Sequence, residues 1–228
     1  MENKGLFYDT FASEFDKAMN MYDTDKRLKV VFERLFKDGE LKGKKLLDAG
    51  SGTGWFSRRA VELGAIVTSL DVGENLLNEV KKKCDSIRVV GDVTDLKVPD
   101  GSFDCIISTE VIEHTPDPKK AIKEMARVIK KGGVLALTVP NRVWHFAVTI
   151  GNVLKLRPYE GFENWVYWGG LSRELQENGF RIVEQFGFHA IPFVSPKLYG
   201  TIDYLDRYGK GPLGHLMVNI AVRAEKVK

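Results

Sequence analysis

The sequence has few cysteines, no long hydrophobic run and little net charge, and each shortage narrows the classes of protein to which it could belong. Cys84 and Cys105 are the two cysteines among 228 residues, and they give neither a disulfide framework nor the spacing of a metal site. The longest nearly apolar run, 143–150, is too short to span a bilayer, and the N-terminus lacks the basic-then-apolar order of a signal peptide. A net charge of +3, spread along the chain, does not call for a nucleic acid. We therefore expect a cytoplasmic protein without a transmembrane segment and without a nucleic-acid partner.

The length and the hydrophobic share of 43% suit one globular domain over residues 1–228, as a monomer or homodimer. Within it we expect N-terminal helices over 1–40 and a core over 41–140. Two segments that lose regular alternation, 141–170 and 187–214, are expected to cover a ligand cleft.

A strand, a glycine turn and a helix follow one another in residues 44–63. Leu46 and Leu47 begin an apolar run that ends in Asp48, which is typical of a buried parallel strand. Glycines then alternate with other residues up to position 54, and an amphipathic pattern begins at Trp55. This order is typical of a site for a nucleotide-like ligand, because glycine lets a ligand lie against bare backbone.

Strand and helix patterns continue to alternate along the chain, which predicts βαβ units and a doubly wound sheet. We expect seven strands, mostly parallel, with an antiparallel last strand and helical cover insertions. The predicted strands are 46–48, 65–71, 86–92, 103–108, 134–139, 180–186 and 216–223. The predicted helices lie in 6–20 and over 25–37, 55–63, 74–83, 118–131 and 172–178. The ends of four strands carry Asp48, Asp71, Asp92 and Ser108–Glu110, which would converge at one edge of the sheet.

The spacing of the glycines distinguishes between kinds of loop. A dinucleotide fingerprint would need its third glycine at position 55, which holds tryptophan, and the Gly-Lys-Ser/Thr ending of a phosphate loop is absent. The pattern Asp48-x-Gly50-x-Gly52-x-Gly54 resembles the first motif of class I S-adenosylmethionine (SAM) methyltransferases. The resemblance covers most of residues 40–140 and implies a Rossmann-like fold, with SAM as the cofactor and S-adenosylhomocysteine (SAH) as its product.

The resemblance also implies which residues hold SAM. The glycines would lie against its methionine and ribose parts, and Asp48 would organise the loop and help to hold the ammonium group. Asp71 would accept hydrogen bonds from both ribose hydroxyls, since a carboxylate is purely an acceptor. The adenine would lie against Asp92 and Val93, although an aspartate at a strand end is as readily a turn cap. The other residues implied for the cofactor are Tyr8, Ser51, Val72, Ser108 and Val111.

A second motif follows the fourth predicted strand. Residues 110–118 resemble the Glu-x-x-Glu-His-x-x-Asp-Pro segment of ubiquinone-biosynthesis O-methyltransferases and their small-molecule relatives. In a helical turn Glu110, Glu113 and His114 would share one side. His114 would then be a general base for an acceptor hydroxyl, or the three side chains would hold a divalent metal, or they would simply pack and pair locally. We expect catalysis by these three residues and no metal, with the metal as the alternative.

Aromatic residues of the predicted covers favour a small, hydrophobic or aromatic acceptor, methylated on oxygen. The expected wall residues are Tyr22, Trp144, Tyr159 and Trp165. Ordinary packing is the competing interpretation for each of them. Methylation of nitrogen or carbon, and a SAM-binding module without catalysis, remain alternatives. Residues 142–157 also have the composition of an interfacial helix, so peripheral membrane contact is a further hypothesis.

Overall fold

The computed structural model describes residues 8–145, 164, 166–192 and 195–228, which build a seven-stranded sheet flanked by helices. The strands are β1 (Lys45–Ala49), β2 (Ile66–Asp71), β3 (Ile87–Val90), β4 (Phe103–Thr109), β5 (Ile129–Pro140), β6 (Phe180–Phe188) and β7 (Asn219–Lys226). The helices are α1 (Ala12–Ala18), α2 (Met21–Lys29), α3 (Trp55–Glu62), α4 (Glu74–Lys83), α5 (Pro118–Val128), α6 (Trp168–Glu177) and α7 (Tyr199–Leu205).

The strand order is β3-β2-β1-β4-β5-β7-β6. Strands β1 to β5 are parallel, whereas β7 runs antiparallel to both of its neighbours, β5 and β6. The predicted fold class is therefore confirmed. The order reverses between β1 and β4, and ligands of such sheets bind outside the carboxyl ends of the strands at this point.

Hydrophobic cores lie on both faces of the sheet, because neighbouring residues of a strand point to opposite faces. Leu47 and Ile106 belong to the core that includes α5 and α6. Their neighbours Leu46 and Ile107 belong to the core that includes α3 and the segment after α2. The central strands β1 and β4 are thus buried on both sides, as their apolar runs predict.

The N-terminal helices differ from the prediction. Only Ala12–Ala18 forms a helix longer than one turn in the described part of 6–20. The second helix begins at Met21 rather than near residue 25, because the Asn20 side chain accepts a hydrogen bond from the Tyr22 amide and caps it. It continues as a π-helical turn over Val30–Leu35.

The boundary between α5 and β5 was also predicted wrongly. We expected the helix to reach residue 131 and two glycines to stop it, yet it ends at Val128 and β5 begins at Ile129. The glycines lie inside β5, where the register shifts. A Cβ on Gly133 would stand 2.8 Å from the carbonyl oxygen of Asp104, so the close approach of two backbones requires glycine there.

Two predictions near the C-terminal strands need similar correction. Helix α6 starts at Trp168, and Ser172 lies inside it, donating from Oγ to the Trp168 carbonyl instead of capping the helix. Strand β7 starts at Asn219 because Pro212–Leu216 forms a 3-10 helix. The predicted cover 187–214 accordingly contains the end of β6 and helix α7.

A buried ion pair joins β7 to the segment that follows the N-terminal helices. Both Nη atoms of Arg223 donate to the Glu40 carboxylate, at 2.7 and 2.6 Å, and the arginine side chain is only 5% exposed. Removing one partner of a buried pair leaves an uncompensated charge.

We expect Glu40→Ala to lower the free energy of unfolding by about 3–5 kcal/mol, measured by urea denaturation. The control is Glu62→Ala, which removes only exposed pairs with Arg58 and Arg59 and should cost less than about 1 kcal/mol. Equal losses for the two variants would contradict the role given to the buried pair.

Candidate cofactor and acceptor site

The loop between β1 and α3 has a backbone that only glycine adopts readily. Gly50, Gly52 and Gly54 have φ angles of +84°, +52° and +92°. A Cβ on Gly50 would stand 2.4 Å from a methyl carbon of Val111, so the loop touches the turn that follows β4. A Cβ on Gly52 would meet no atom of the described residues within 4 Å. Gly52 therefore presents bare backbone to an open space.

Asp71, at the end of β2, holds this loop in place. Its Oδ2 accepts from the Gly52 amide at 2.8 Å and its Oδ1 from the Gly73 amide at 3.0 Å. A strand-end carboxylate thus bonds directly to a loop amide at Asp71, and the part expected of Asp48 in organising the loop stays a prediction. A carboxylate has about four lone-pair sites, so two amides leave acceptor capacity for ribose hydroxyls. Burial raises the pKa of Asp71, and its backbone hydrogen bonds oppose that shift.

Asp48, at the end of β1, is buried and bonded to α3. Its Oδ2 accepts from the Ser57 hydroxyl at 2.6 Å. Further hydrogen bonds join the hydroxyls of Ser57 and Ser69, at 2.6 Å, and those of Ser69 and Ser86, at 2.8 Å. Burial raises the pKa of Asp48 to about 7, with the charge of Asp71 adding to the shift. The carboxyl therefore changes charge near neutral pH.

Two buried hydroxyls lie at the same edge of the sheet. Ser51 is in the glycine loop and Ser108 in β4, and neither Oγ has a hydrogen-bond partner among the described residues. Buried hydroxyls are normally satisfied. Together with the open space at Gly52, they fit a polar ligand that lies along the loop.

Asp92 and Val93 follow β3. The Asp92 Oδ1 accepts from both the amide and the hydroxyl of Thr94, at 2.7 and 2.8 Å, so this carboxylate caps a turn. Val93 belongs to a hydrophobic core. Contact of these two residues with adenine stays a prediction.

The N-terminal segment is docked beside the loop. Asp9 accepts from the Leu76 amide at 3.0 Å at the start of α4, next to Val72 and Gly73. Asp16 of α1 accepts from the Thr53 hydroxyl and from Trp55 Nε1. Tyr8 packs edge-on against Phe15, with ring centroids 5.2 Å apart. The segment that contains the predicted cofactor residue Tyr8 is thus hydrogen-bonded to both α3 and α4.

Glu110, Glu113 and His114 do not share one side of a helix. Glu110 has a φ of +55° and precedes a 3-10 helix, Ile112–His114, so the predicted helical turn is wrong. The Glu110 carboxylate accepts from Thr138 Oγ1 and Asn219 Nδ2, both at 3.0 Å. Glu113 is buried with its Oε1 3.7 Å from His114 Nε2, and the imidazole is 26% exposed. Glu110 and His114 are thus partly exposed, whereas Glu113 is buried.

A metal at these residues has no support in the geometry. The part of the chain that is described contains no group of three His, Cys, Asp or Glu side chains placed to hold a metal ion.

A buried polar cluster beside the turn after β4 was not found from the sequence. The Arg27 guanidinium is bonded to Asp23 through Nε at 2.9 Å and through Nη2. His189 Nδ1 stands 3.1 Å from Asn219 Oδ1 and 3.7 Å from Asp23 Oδ1. Burial raises the pKa of Glu110 while the Arg27 charge opposes the shift. The i, i+4 spacing of Asp23 and Arg27 was the available sequence signal, but nothing local links them to β7.

The predicted acceptor residues fall in different places. Tyr22 stacks on Tyr199, with centroids 3.7 Å apart, and its hydroxyl donates to Asp203 at 2.9 Å. Burial raises the pKa of Tyr22, and the hydrogen bond to Asp203 raises it further. Trp144 donates from Nε1 to the Leu216 carbonyl at 2.7 Å. Tyr159 and Trp165 lie outside the described residues, as does most of the predicted interfacial segment 142–157.

Comparisons with known proteins match the part of the chain that carries this site. The methyltransferase domain family matches residues 47–137. A ubiquinone biosynthesis O-methyltransferase of Coxiella burnetii is 30% identical over 177 residues, covering 73% of this chain and 74% of the relative. A malonyl-[acyl-carrier protein] O-methyltransferase of Serratia marcescens is 36% identical over 127 residues, or 54% and 50% of the two chains.

A solved structure extends the likeness to the whole fold. The SAM-dependent methyltransferase from Thermotoga maritima, described as a possible histamine N-methyltransferase, has a TM-score of 0.70 at 18% identity. It covers 96% of this chain and 98% of its own. The chain belongs to the class I SAM-dependent methyltransferases, and the predicted family, enzyme class and cofactor are confirmed. Among the described helices, none combines the length and the apolar character needed to cross a bilayer.

If Asp71 accepts from both ribose hydroxyls, as predicted, Asp71→Ala should weaken SAH binding at least about 100-fold, because two charged hydrogen bonds of about 1.5–3 kcal/mol each would be lost. Calorimetric titration measures this. The control is Asp95→Ala, which removes an exposed carboxylate paired with Lys97. Wild-type protein that binds neither SAM nor SAH, or equal binding by Asp71→Ala, would contradict the site.

We predict that the ionised form of Asp48 attracts the ammonium group of SAH, so the affinity for SAH should rise with pH. A carboxyl with a pKa of about 7 is ionised to about a tenth at pH 6 and to about nine tenths at pH 8. We expect the dissociation constant to fall about tenfold over this range, measured by calorimetry. In Asp48→Asn the dependence should disappear, and a slope that persists there would assign it to another group.

Proposed function

We propose that this enzyme transfers a methyl group from SAM to an oxygen atom of a small, hydrophobic or aromatic molecule. The observation that carries the proposal is the position of His114, partly exposed in the turn after β4 with the Glu113 carboxylate behind it. A carboxylate beside an imidazole favours the imidazolium that forms when the ring takes a proton. The names of the Coxiella and Serratia relatives, both O-methyltransferases, support the same acceptor atom.

The residues of the glycine loop and of the strand ends would hold SAM. Gly52 gives it bare backbone, Ser51 and Ser108 offer buried hydroxyls, and Asp71 has remaining acceptor capacity. When bound, SAM supplies a methyl group already activated on a sulfonium sulfur, so the protein is left with alignment and proton removal.

His114 would take the proton of the acceptor hydroxyl while the oxygen attacks the methyl carbon. Bound SAM would supply the methyl group and leave as SAH, with the carbon–sulfur electron pair retained by sulfur. The segments around Tyr22 and Trp144 would exclude water and provide aromatic surface to the acceptor, which favours an apolar molecule.

An amine acceptor is the second candidate, favoured by the balance of charge. In the cluster beside the turn, the charges of three carboxylates raise the pKa of one guanidinium, that of Arg27. The three carboxylates are those of Asp23, Glu110 and Glu113. An excess of buried negative charge suits a cationic molecule better than an anionic one.

The test measures SAH formation with catechol and histamine as acceptors, for the wild type, His114→Gln and the control His215→Gln. His215 stacks on Trp168 instead of lying in the turn. With catechol we expect His114→Gln to lower kcat by about 100-fold or more, since a general base contributes about 10²–10⁴. The Kd for SAH should stay within about twofold for all three proteins.

The outcomes separate the candidates. Faster methylation of histamine than of catechol would favour the amine acceptor. An unchanged kcat in His114→Gln would remove His114 as the base.

A further inference from the structure

Two residues of the polar cluster adopt a backbone conformation that is uncommon for their type. Among the described residues, Glu110 and His189 are the only ones other than glycine with positive φ, at +55° and +54°. Each directly follows a strand, Glu110 after β4 and His189 after β6. Such conformations persist only where surrounding interactions hold them.

One side chain joins these two positions. Asn219, the first residue of β7, donates from Nδ2 to Glu110 Oε2 at 3.0 Å, and its Oδ1 faces His189 Nδ1 at 3.1 Å. The Asn219 amide is thus oriented with Nδ2 toward Glu110 and with Oδ1 toward the His189 ring. The Asn219 amide oxygen can only accept a hydrogen bond, so His189 carries its proton on Nδ1 and donates it to Asn219 Oδ1. Asn219 is 3% exposed, so the bonds are shielded from water.

The position of Glu110 determines where Val111 lies. The methyl groups of Val111 occupy the space that a side chain at Gly50 would need. The Glu110 amide also donates to the Thr138 carbonyl at 2.9 Å, and the Thr138 hydroxyl bonds to the Glu110 carboxylate. A chain of direct contacts therefore runs from Asn219 through Glu110 and Val111 to the glycine loop.

We propose that Asn219 is a positioning residue, which fixes the turn after β4 against the glycine loop and so sets the affinity of the SAM site. It touches neither the reacting atoms nor the loop itself. The proposal rests on the use of SAM and not on the choice of acceptor atom. SAH alone is therefore the probe, and failure of the acceptor assays leaves this test intact.

Asn219→Asp is the informative variant, because its effect depends on pH. When the introduced carboxyl is ionised it cannot donate to Glu110, and two adjacent carboxylates repel each other. When it is protonated it can donate, which restores the bond. The charged or titratable groups near the pair are Asp23, Arg27, Glu113, His189 and Asp206.

Calorimetric titration of SAH at pH 5.5 and pH 8 compares the two proteins. We expect the Kd of Asn219→Asp to exceed that of the wild type about tenfold or more at pH 8, and by less than about threefold at pH 5.5. Taking the ratio at each pH cancels the contribution of Asp48, which changes affinity in both proteins. A general loss of packing would raise the ratio at both pH values alike, which would overturn the proposal.

Asn178→Asp is the matched control. Asn178 also donates from Nδ2 to a glutamate, Glu174 Oε1 at 3.1 Å, but it lies at the end of α6. Its Kd ratio should stay near one at both pH values. A ratio equal to that of Asn219→Asp would assign the effect to the substitution type and overturn the proposal.

A double-mutant cycle tests the route through Val111. If Asn219 acts by way of Val111, the variant Val111→Ala/Asn219→Asp should bind SAH no more weakly than the weaker of the two single variants. If the double variant instead loses SAH affinity by the product of the two single-variant factors, the route through Val111 is overturned. If Asn219→Asp does not fold, Thr138→Val removes the other side-chain donor to Glu110 and should also weaken SAH binding. A wild-type Kd in that variant would count against the proposal.

Discussion

The contact between Val111 and the bare α-carbon of Gly50 joins the two halves of the site. Gly50 belongs to the loop after β1, which contains the open space at Gly52 and is held in place by the Asp71 carboxylate. Val111 belongs to the turn after β4, which carries Glu113 and His114. Because β1 and β4 are neighbours in a parallel sheet, their carboxyl ends already stand side by side. The missing Cβ removes the remaining separation, so the glycine loop and the turn after β4 lie directly against each other.

The fold could be predicted because its signals are local and repeated. Alternation of strand and helix patterns, and the opposite facing of Leu46 and Leu47, are properties of short stretches. Strand-end aspartates of a parallel sheet must meet at one edge, so Asp48 and Asp71 could be assigned to one cleft before any coordinates. The glycine spacing in turn identified the kind of loop.

Element boundaries and the cluster around Arg27 depend on contacts that sequence patterns do not report. The glycines after α5 look like a helix stop, but Gly133 is required by its approach to the Asp104 carbonyl across the sheet. The partners of Glu110 come from β5 and β7, 28 and 109 residues away in the sequence. The positive φ of Glu110 keeps it from sharing a helical face with Glu113 and His114. A positive φ at a glutamate has no sequence signature, and for that reason the sequence predicted this face wrongly.

The position of β7 has a consequence for how the chain reaches this structure during synthesis. Strand β7 lies between β5 and β6, so β5 has no partner on that side until residues 219–226 have left the ribosome. Until then, β5 and β6 present unpaired backbone edges of the kind that associate with other chains. Completion of the sheet is therefore a late, non-local event, because β7 follows every other strand in the sequence and pairs with two of them.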